Sequence, residues 1–170
     1  MTVQTDQLHI LTYPDLRLRR RATAIERVDE TVRAVARRMI ELMDQASGVG
    51  LAGPQVGLDW RIFVTNVTGE PEDARVYINP VLRDPARRSE PCAEGCLSLP
   101  HIHAEITRPV SVTLDALDEQ GQPVTRTAEG LEARVWQHEF DHLEGILIID
   151  RMTPADRMAN KRALRELEQQ

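Results

Sequence analysis

His138 and His142 stand four residues apart in QHEFDH, with Glu139 directly after the first. Residues four apart on an α-helix share one face, so both imidazoles can reach a single ion. Val135 and Leu131 lie on that face one and two turns earlier, so the face is expected to turn inward. Imidazoles against an apolar wall are costly unless something satisfies them, and a divalent metal does so. The plainer reading is two histidines bonded to backbone. Glu139 sits around the helix from His138, where a general base must stand to take a proton from a water on the ion. Asp141 points elsewhere and reads as a structural carboxylate, with Arg108 as its partner.

Such a site needs a third ligand. His9, His101, His103, Cys92, Cys96 and several carboxylates are available, and local context favours Cys96, in EGCLSLP at residues 94–100. Gly95 lets the backbone approach a neighbour closely, and Pro100 stiffens the exit from the segment. A thiolate is a strong ligand that the metal itself keeps deprotonated. Two histidines, one cysteine and a water leave one exchangeable position, the mark of a catalytic site and not a structural one. A free cysteine is ordinarily a buried hydrophobe, and Cys92 is given that reading. His101 and His103 read first as ordinary loop or strand histidines, with the rim of a substrate groove as the alternative.

Residues 48–55, GVGLAGPQ, contain G-x-G-x-x-G, but a helical pattern precedes the motif and Pro54 follows its last glycine. A dinucleotide loop follows a strand and opens a helix, so that reading is rejected. The segment instead offers bare backbone, able to pair with an extended peptide, and Gln55, able to donate an N–H to a developing oxyanion.

The elements that must position these groups follow from periodicity. Residues 29–46 are apolar at Val32, Val35, Ala36, Met39, Leu42 and Met43, which predicts a helix capped by Asp29. RIFVTNV (61–67) and RVYINPVL (75–82) read as strands. VSVTLDAL (110–117) alternates strictly and meets VTRTAEG across DEQGQP, a hairpin. Residues 131–144 read as a helix, ILIID as a short strand, and Thr153-Pro154 with Asp156 as the capped start of a C-terminal helix. The pattern is α+β: mostly antiparallel strands around a central metal-binding helix, with helices at both ends.

A chain of 170 residues suits one domain, 1–170. With 41% hydrophobic and 28% charged residues it is globular, and a net charge of -6 argues against DNA or bulk nucleic acid as the main partner. The arginine-rich run at 17–27 reads as a solvated face rather than a phosphate site. Two cysteines are too few for a disulfide framework, which points to a reducing compartment. The N-terminus lacks a basic start and an apolar run, and no stretch is apolar enough to span a membrane, so a cytoplasmic protein without a signal peptide is expected.

Three segments together resemble peptide deformylase, whose motifs run G-x-G-x-A-A-P-Q, E-G-C-L-S and Q-H-E-x-D-H. Here they read GVGLAGPQ, EGCLSLP and QHEFDH, in that order, within a likeness that covers nearly the whole chain. The resemblance implies removal of formyl from the N-terminal formyl-methionine of new polypeptides, giving formate. It makes Cys96, His138 and His142 the metal ligands and Glu139 the acid/base, with Gln55 and the Leu97 N–H as the oxyanion hole. The backbone of Gly48, Val49 and Gly50 would hold the peptide main chain, with Glu94 and Gly95 opposite, and Leu131 and Val135 would wall the methionine pocket. The family usually employs ferrous iron, while the ligand types equally admit zinc, nickel or cobalt. Gly53 departs from the family's usual alanine; it could loosen Gln55 or make room beside the metal, and Gly53→Ala is expected to keep activity. A ribosome contact through Arg157, Lys161, Arg162 and Arg165 is a further expectation, set against a plain solvated helix face. Rival readings are a zinc peptidase, which needs a third ligand beyond the helix where no histidine follows His142, a closed non-catalytic metal module, and a deformylase-like enzyme acting on another formamide.

Overall fold

The Asp29 carboxylate accepts the Val32 N–H at 3.0 Å and opens α1 (Glu30–Gln45), whose buried stripe is the one its periodicity predicts. The computed structural model describes residues 3–169; Met1, Thr2 and Gln170, which the one-domain expectation also spans, lie outside the described residues. α1 lies on β1 (Gly50–Ala52) and β2 (Ile62–Thr65), and Val35, Met39 and Met43 pack with Leu51, Ile62 and Val64.

β1 and β2 begin a five-stranded antiparallel sheet, completed by β3 (Arg75–Arg83), β6 (Ser111–Leu117) and β7 (Pro123–Glu129), in the order β1-β2-β3-β6-β7. The predicted hairpin is β6–β7, and the Asp118 carboxylate closes its turn by accepting the N–H groups of Gln120 and Gln122. β1 lies at an edge of this sheet, so among the described residues one side of its backbone has no strand partner.

A second sheet has two strands, β4 (Ser89–Cys96) and β5 (Leu99–Pro109). Neither strand is predicted by the sequence periodicity above. The signal was present in β5, where Ile102, Ala104, Ile106 and Arg108 alternate and are all buried, but an arginine among apolar residues masks such a period. Cys92 corrects an expectation: it is exposed rather than buried, although its partner across the ribbon, Ile106, is buried.

α2 (Gly130–Leu143) packs against both sheets. Trp136 anchors it, buried among Phe63, Tyr77 and Leu114. Removing a buried side chain of that size typically costs about 3–5 kcal/mol, so this contact fixes the helix that carries the histidine pair. ILIID is not a strand. Residues Ile148–Arg151 form one helical turn, α3, since the Asp150 carboxylate takes the Leu147 N–H and Met152 N–H returns to the Ile148 carbonyl. A short apolar run does not by itself distinguish strand from helix, and here a local acceptor decides. Thr153 caps α4 (Pro154–Ala159) as expected, and α5 (Lys161–Glu168) buries Leu164 and Leu167 beneath the ribbon with Leu99, Ile102 and Ile106.

Four arginines of the basic run are paired: Arg17 with Asp15, Arg19 with Asp150, Arg20 with Asp59 and Arg21 with Glu144. The solvated-face reading of that run holds. Among the described residues no helix is long and apolar enough to cross a membrane.

Candidate metal centre and its cleft

α2 presents His138 and His142 on one face, with their Nε2 atoms 3.2 Å apart. The turn from β4 to β5 brings in Cys96, whose Sγ lies 3.3 Å from His142 Nε2. The ladder shifts register between Gly95 and Cys96, and this irregularity turns the thiol out of the ribbon toward the helix. The three ligand atoms lie within 4.8 Å of one another. One soft sulfur and two imidazole nitrogens converging from two elements suit a divalent transition metal, so the residues fit the group that the spacing predicts.

The electrostatics agree. Burial, then repulsion from His138 and Arg108, pushes His142 well below the usual histidine range, which leaves its lone pair free to coordinate. Burial also opposes charge on His138, but hydrogen bonds that its ring donates to Cys96 and Glu94 outweigh it and push this imidazole up. A cation held by the three ligand atoms would take the place of that proton.

Glu94 lines the cleft, and three side chains hold its carboxylate. Its carboxylate accepts Arg108 Nε at 2.7 Å, Arg108 Nη2 at 2.9 Å and Arg134 Nη1 at 2.7 Å, and lies 3.0 Å from His138 Nδ1. Arg108 in turn donates to Asp141 at 2.9 Å, the predicted pair, and Arg151 holds Asp141 from outside at 2.5 Å. Glu94 therefore orients His138 so that Nε2 faces the other ligands. Burial raises its pKa, but the His138 and Arg108 hydrogen bonds with the Arg108 charge bring it down to about 2, against 4.5 ordinarily. A depressed carboxylate adds stability at pH above about 4.5 and loses it as pH falls toward about 2. Glu94→Gln is expected to weaken cation retention by roughly 10–100-fold, read by chelator competition. Retention equal to the parent chain would show that the carboxylate does not orient the ligand.

Glu139 is buried, and its Oε2 has no hydrogen-bond partner among the described residues. Burial drives this carboxyl up to about 7, despite the nearby His138 and Arg108 charges. Gly50 makes the space it occupies, since a Cβ there would stand 2.3 Å from Glu139 Oε1. The sequence reading gave Gly50 only to peptide backbone. Its second use becomes visible once strand and helix meet.

Gln55, in the turn Gly53–Val56, is fixed at both ends of its amide. Oε1 accepts the Ala52 N–H at 2.8 Å, and Nε2 donates to Ser98 Oγ at 3.1 Å and lies 3.6 Å from Cys96 Sγ. That fixes the assignment of its oxygen and aims the N–H groups at the ligand cluster.

These groups open on a cleft of about 380 Å³. One wall is Gly48, Val49 and Gly50, the second is Glu94, Gly95, Cys96 and Leu97 of the ribbon, and the third is α2 with Leu131, Val135, His138 and Glu139. Leu131 was expected to point inward, but it is 56% exposed, because it lies at the open mouth while Val135 is buried. His103 also lines the cleft and stands beside Gly95, whereas His101 is exposed and does not line it.

Gly53 is not beside the ligands. A Cβ at this position would lie 2.5 Å from the Trp60 carbonyl oxygen and 3.3 Å from that of Leu58. Backbone cannot yield as a flexible side chain can, so the glycine allows the 57–61 loop its close approach. Gly53→Ala, expected from the sequence to keep activity, is expected to cost about 1–3 kcal/mol of stability through overpacking. The melting temperature checks this, and an unchanged value would mean that the loop gives way freely. Room for another formamide, the motive for one rival reading, is not created here.

Residues 7–158 match the sequence model of the polypeptide deformylase family. A peptide deformylase of Chromohalobacter salexigens is 43% identical over 151 residues, 89% of this chain and 89% of that one. A peptide deformylase of Thermotoga maritima is 41% identical over 158 residues, 93% of this chain and 94% of that one. The crystal structure of a peptide deformylase from Plasmodium falciparum superposes with a TM-score of 0.91 at 36% identity, covering 94% of this chain and 95% of that one. A peptide deformylase from Synechococcus elongatus, solved in complex with actinonin, gives 0.87 at 37% identity over 91% of this chain and 86% of that one.

Proposed function

The chain belongs to the polypeptide deformylase family, and from that premise we propose how its own residues take the formyl group from the N-terminus of newly made polypeptides. It is a metal-dependent hydrolase, and Cys96, His138 and His142 would hold its cation. The observation that carries this reading is the convergence of those three ligand atoms beside a buried carboxylate with an unpartnered oxygen.

A divalent cation bound there supplies Lewis acidity, which brings water within reach of a base at neutral pH. Glu139 is that base, and its free Oε2 accepts the proton of the attacking water. As oxygen adds to the formyl carbon, the carbonyl oxygen becomes anionic. Gln55 Nε2 and the Leu97 N–H donate to it, at an amide already held in place by Ala52 and Ser98. Glu139 then passes its proton to the departing amine, the C–N bond breaks, and formate and the free N-terminus leave.

The unpaired side of β1 supports the peptide-binding reading. An extended substrate adds to Gly48, Val49 and Gly50 as a further strand, facing the Glu94 and Gly95 backbone. Its first side chain enters the cleft between Leu131, Val135 and the ribbon. Formate release from formyl-Met-Ala-Ser, against internally cleaved peptides and other formamides, tests the assignment, and peptide cleavage without formate release would overturn it.

We take residues 1–170 as one catalytic domain working in the cytoplasm. The cell's cation is ferrous iron in this reading, since a thiolate with two imidazoles accepts it, although the set also accepts zinc, nickel and cobalt. Metal analysis of protein purified without oxygen decides among them. Contact with the ribosome runs through α5. Arg162 is paired with Glu166 there, so Lys161 and Arg165, both exposed, are the charges to reverse. Truncation would also remove the buried Leu164 and Leu167. Unchanged ribosome pelleting of the Lys161→Glu, Arg165→Glu double variant would end this part of the proposal.

A further inference from the structure

Arg134 is one turn before His138 on the same row of α2, and it lines the cleft. A second cation this close to a metal site needs a reason. Its guanidinium turns away from the ligands and spans to the ribbon, with three contacts of 2.7 Å: Nη1 to Glu94 Oε1, Nη1 to the Ile106 carbonyl and Nη2 to the Glu90 carbonyl. The side chain is 13% exposed. An arginine fork bound to acceptors on both β4 and β5 is immobilised, where a lysine would keep its freedom. The stem between α2 and those anchors is therefore a fixed piece of cleft wall, flanked by Val135 and Leu131 from the helix and Gly95 from the ribbon.

We infer that Arg134 is a specificity-determining residue, setting how long a first side chain the cleft admits. This rests on the reading that the substrate's N-terminal side chain occupies the cleft. The physics is that of a rigid wall. A wall that cannot move penalises each added methylene by overlap, while a wall that moves or is absent admits it and gains apolar contact. One methylene in a well-formed pocket changes kcat/KM by roughly 10–200-fold. A tied arginine gives a limit set by covalent length, and the apolar residues around it give affinity without a stop. The Arg108 pair on Glu94 is separate, so losing Arg134 leaves the carboxylate beside His138 with two of its three arginine contacts.

The test compares formyl-methionyl peptide with a formyl peptide whose first residue is 2-aminooctanoate, which extends the unbranched side chain. In Arg134→Ala the ratio of kcat/KM values, methionine over the longer residue, is expected to fall about tenfold or more. The change should arise mainly in KM, with the longer substrate improving. Arg134→Lys keeps a stem and one cation without the fork, and should fall between the two. It serves also if the alanine variant does not fold. A ratio unchanged in either folded variant overturns the inference, as does an equal loss on both substrates, which marks a purely structural residue. Absence of formate release by the parent chain would refute the deformylase reading itself. Normal parental preference with an unchanged variant ratio refutes only the role of Arg134.

Discussion

Glu139→Gln is expected to lower kcat for formate release by roughly 10²–10⁴-fold while the chain keeps its cation. Glutamine fills the same space beside Gly50, where no Cβ could be accommodated, so the wall of the cleft should survive. The amide cannot accept the proton that Oε2 is free to take. Metal content and turnover must be measured on the same preparation, because only that pairing separates a lost base from a lost ligand. Normal turnover with a bound metal would remove Glu139 from the mechanism. A pH profile adds a second readout. Burial pushes Glu139 up to about 7, above the ordinary 4.5. A neighbouring cation favours the carboxylate, so the loaded enzyme should gain activity as pH rises through a value below 7. The glutamine variant should lack that acid limb.

Cys96→Ala is expected to empty the centre. Cys96 is the one of the three ligands that does not come from α2, and its Sγ reaches His142 from the ribbon at 3.3 Å. Two imidazoles on one helix leave a cation with most of its coordination to find in water. Loss of the Lewis acid removes several kcal/mol of transition-state stabilisation, on the order of 10³-fold or more in rate. The measurement is metal stoichiometry after desalting, with formate release alongside. Chelation of the parent chain should give the same inactive state, and readdition of a divalent metal should restore activity to the parent but not to the variant. A variant that retains one tightly held cation per chain would mean that the third ligand lies elsewhere, and the proposed site would fall.

Both experiments concern residues visible in the one-dimensional chain. His138, Glu139 and His142 were legible because the helical repeat turns a spacing of four into a shared face, a purely local geometry. The Asp29 cap, the stripe of α1 and the β6–β7 hairpin were legible for the same reason: a few neighbouring residues contain the whole pattern. Cys96 was legible only as one of several candidates, favoured by Gly95, Pro100 and the likeness of its segment to a known family.

What the tertiary structure decided is everything that depends on a distant partner. The turn at Ile148–Arg151 exists because Asp150 finds the Leu147 N–H, and the ribbon β4–β5 buries an arginine that only Glu94 and Asp141 make tolerable. Gly50 and Gly53 each lack a side chain for a different reason: one yields to Glu139, the other to the Trp60 carbonyl. Glu94 lies beside the cleft in sequence register yet spends its carboxylate on His138 and two arginines. Periodicity records which face of an element is buried, because burial repeats with the backbone. It does not record what that face meets, because contacts between elements have no period along the chain.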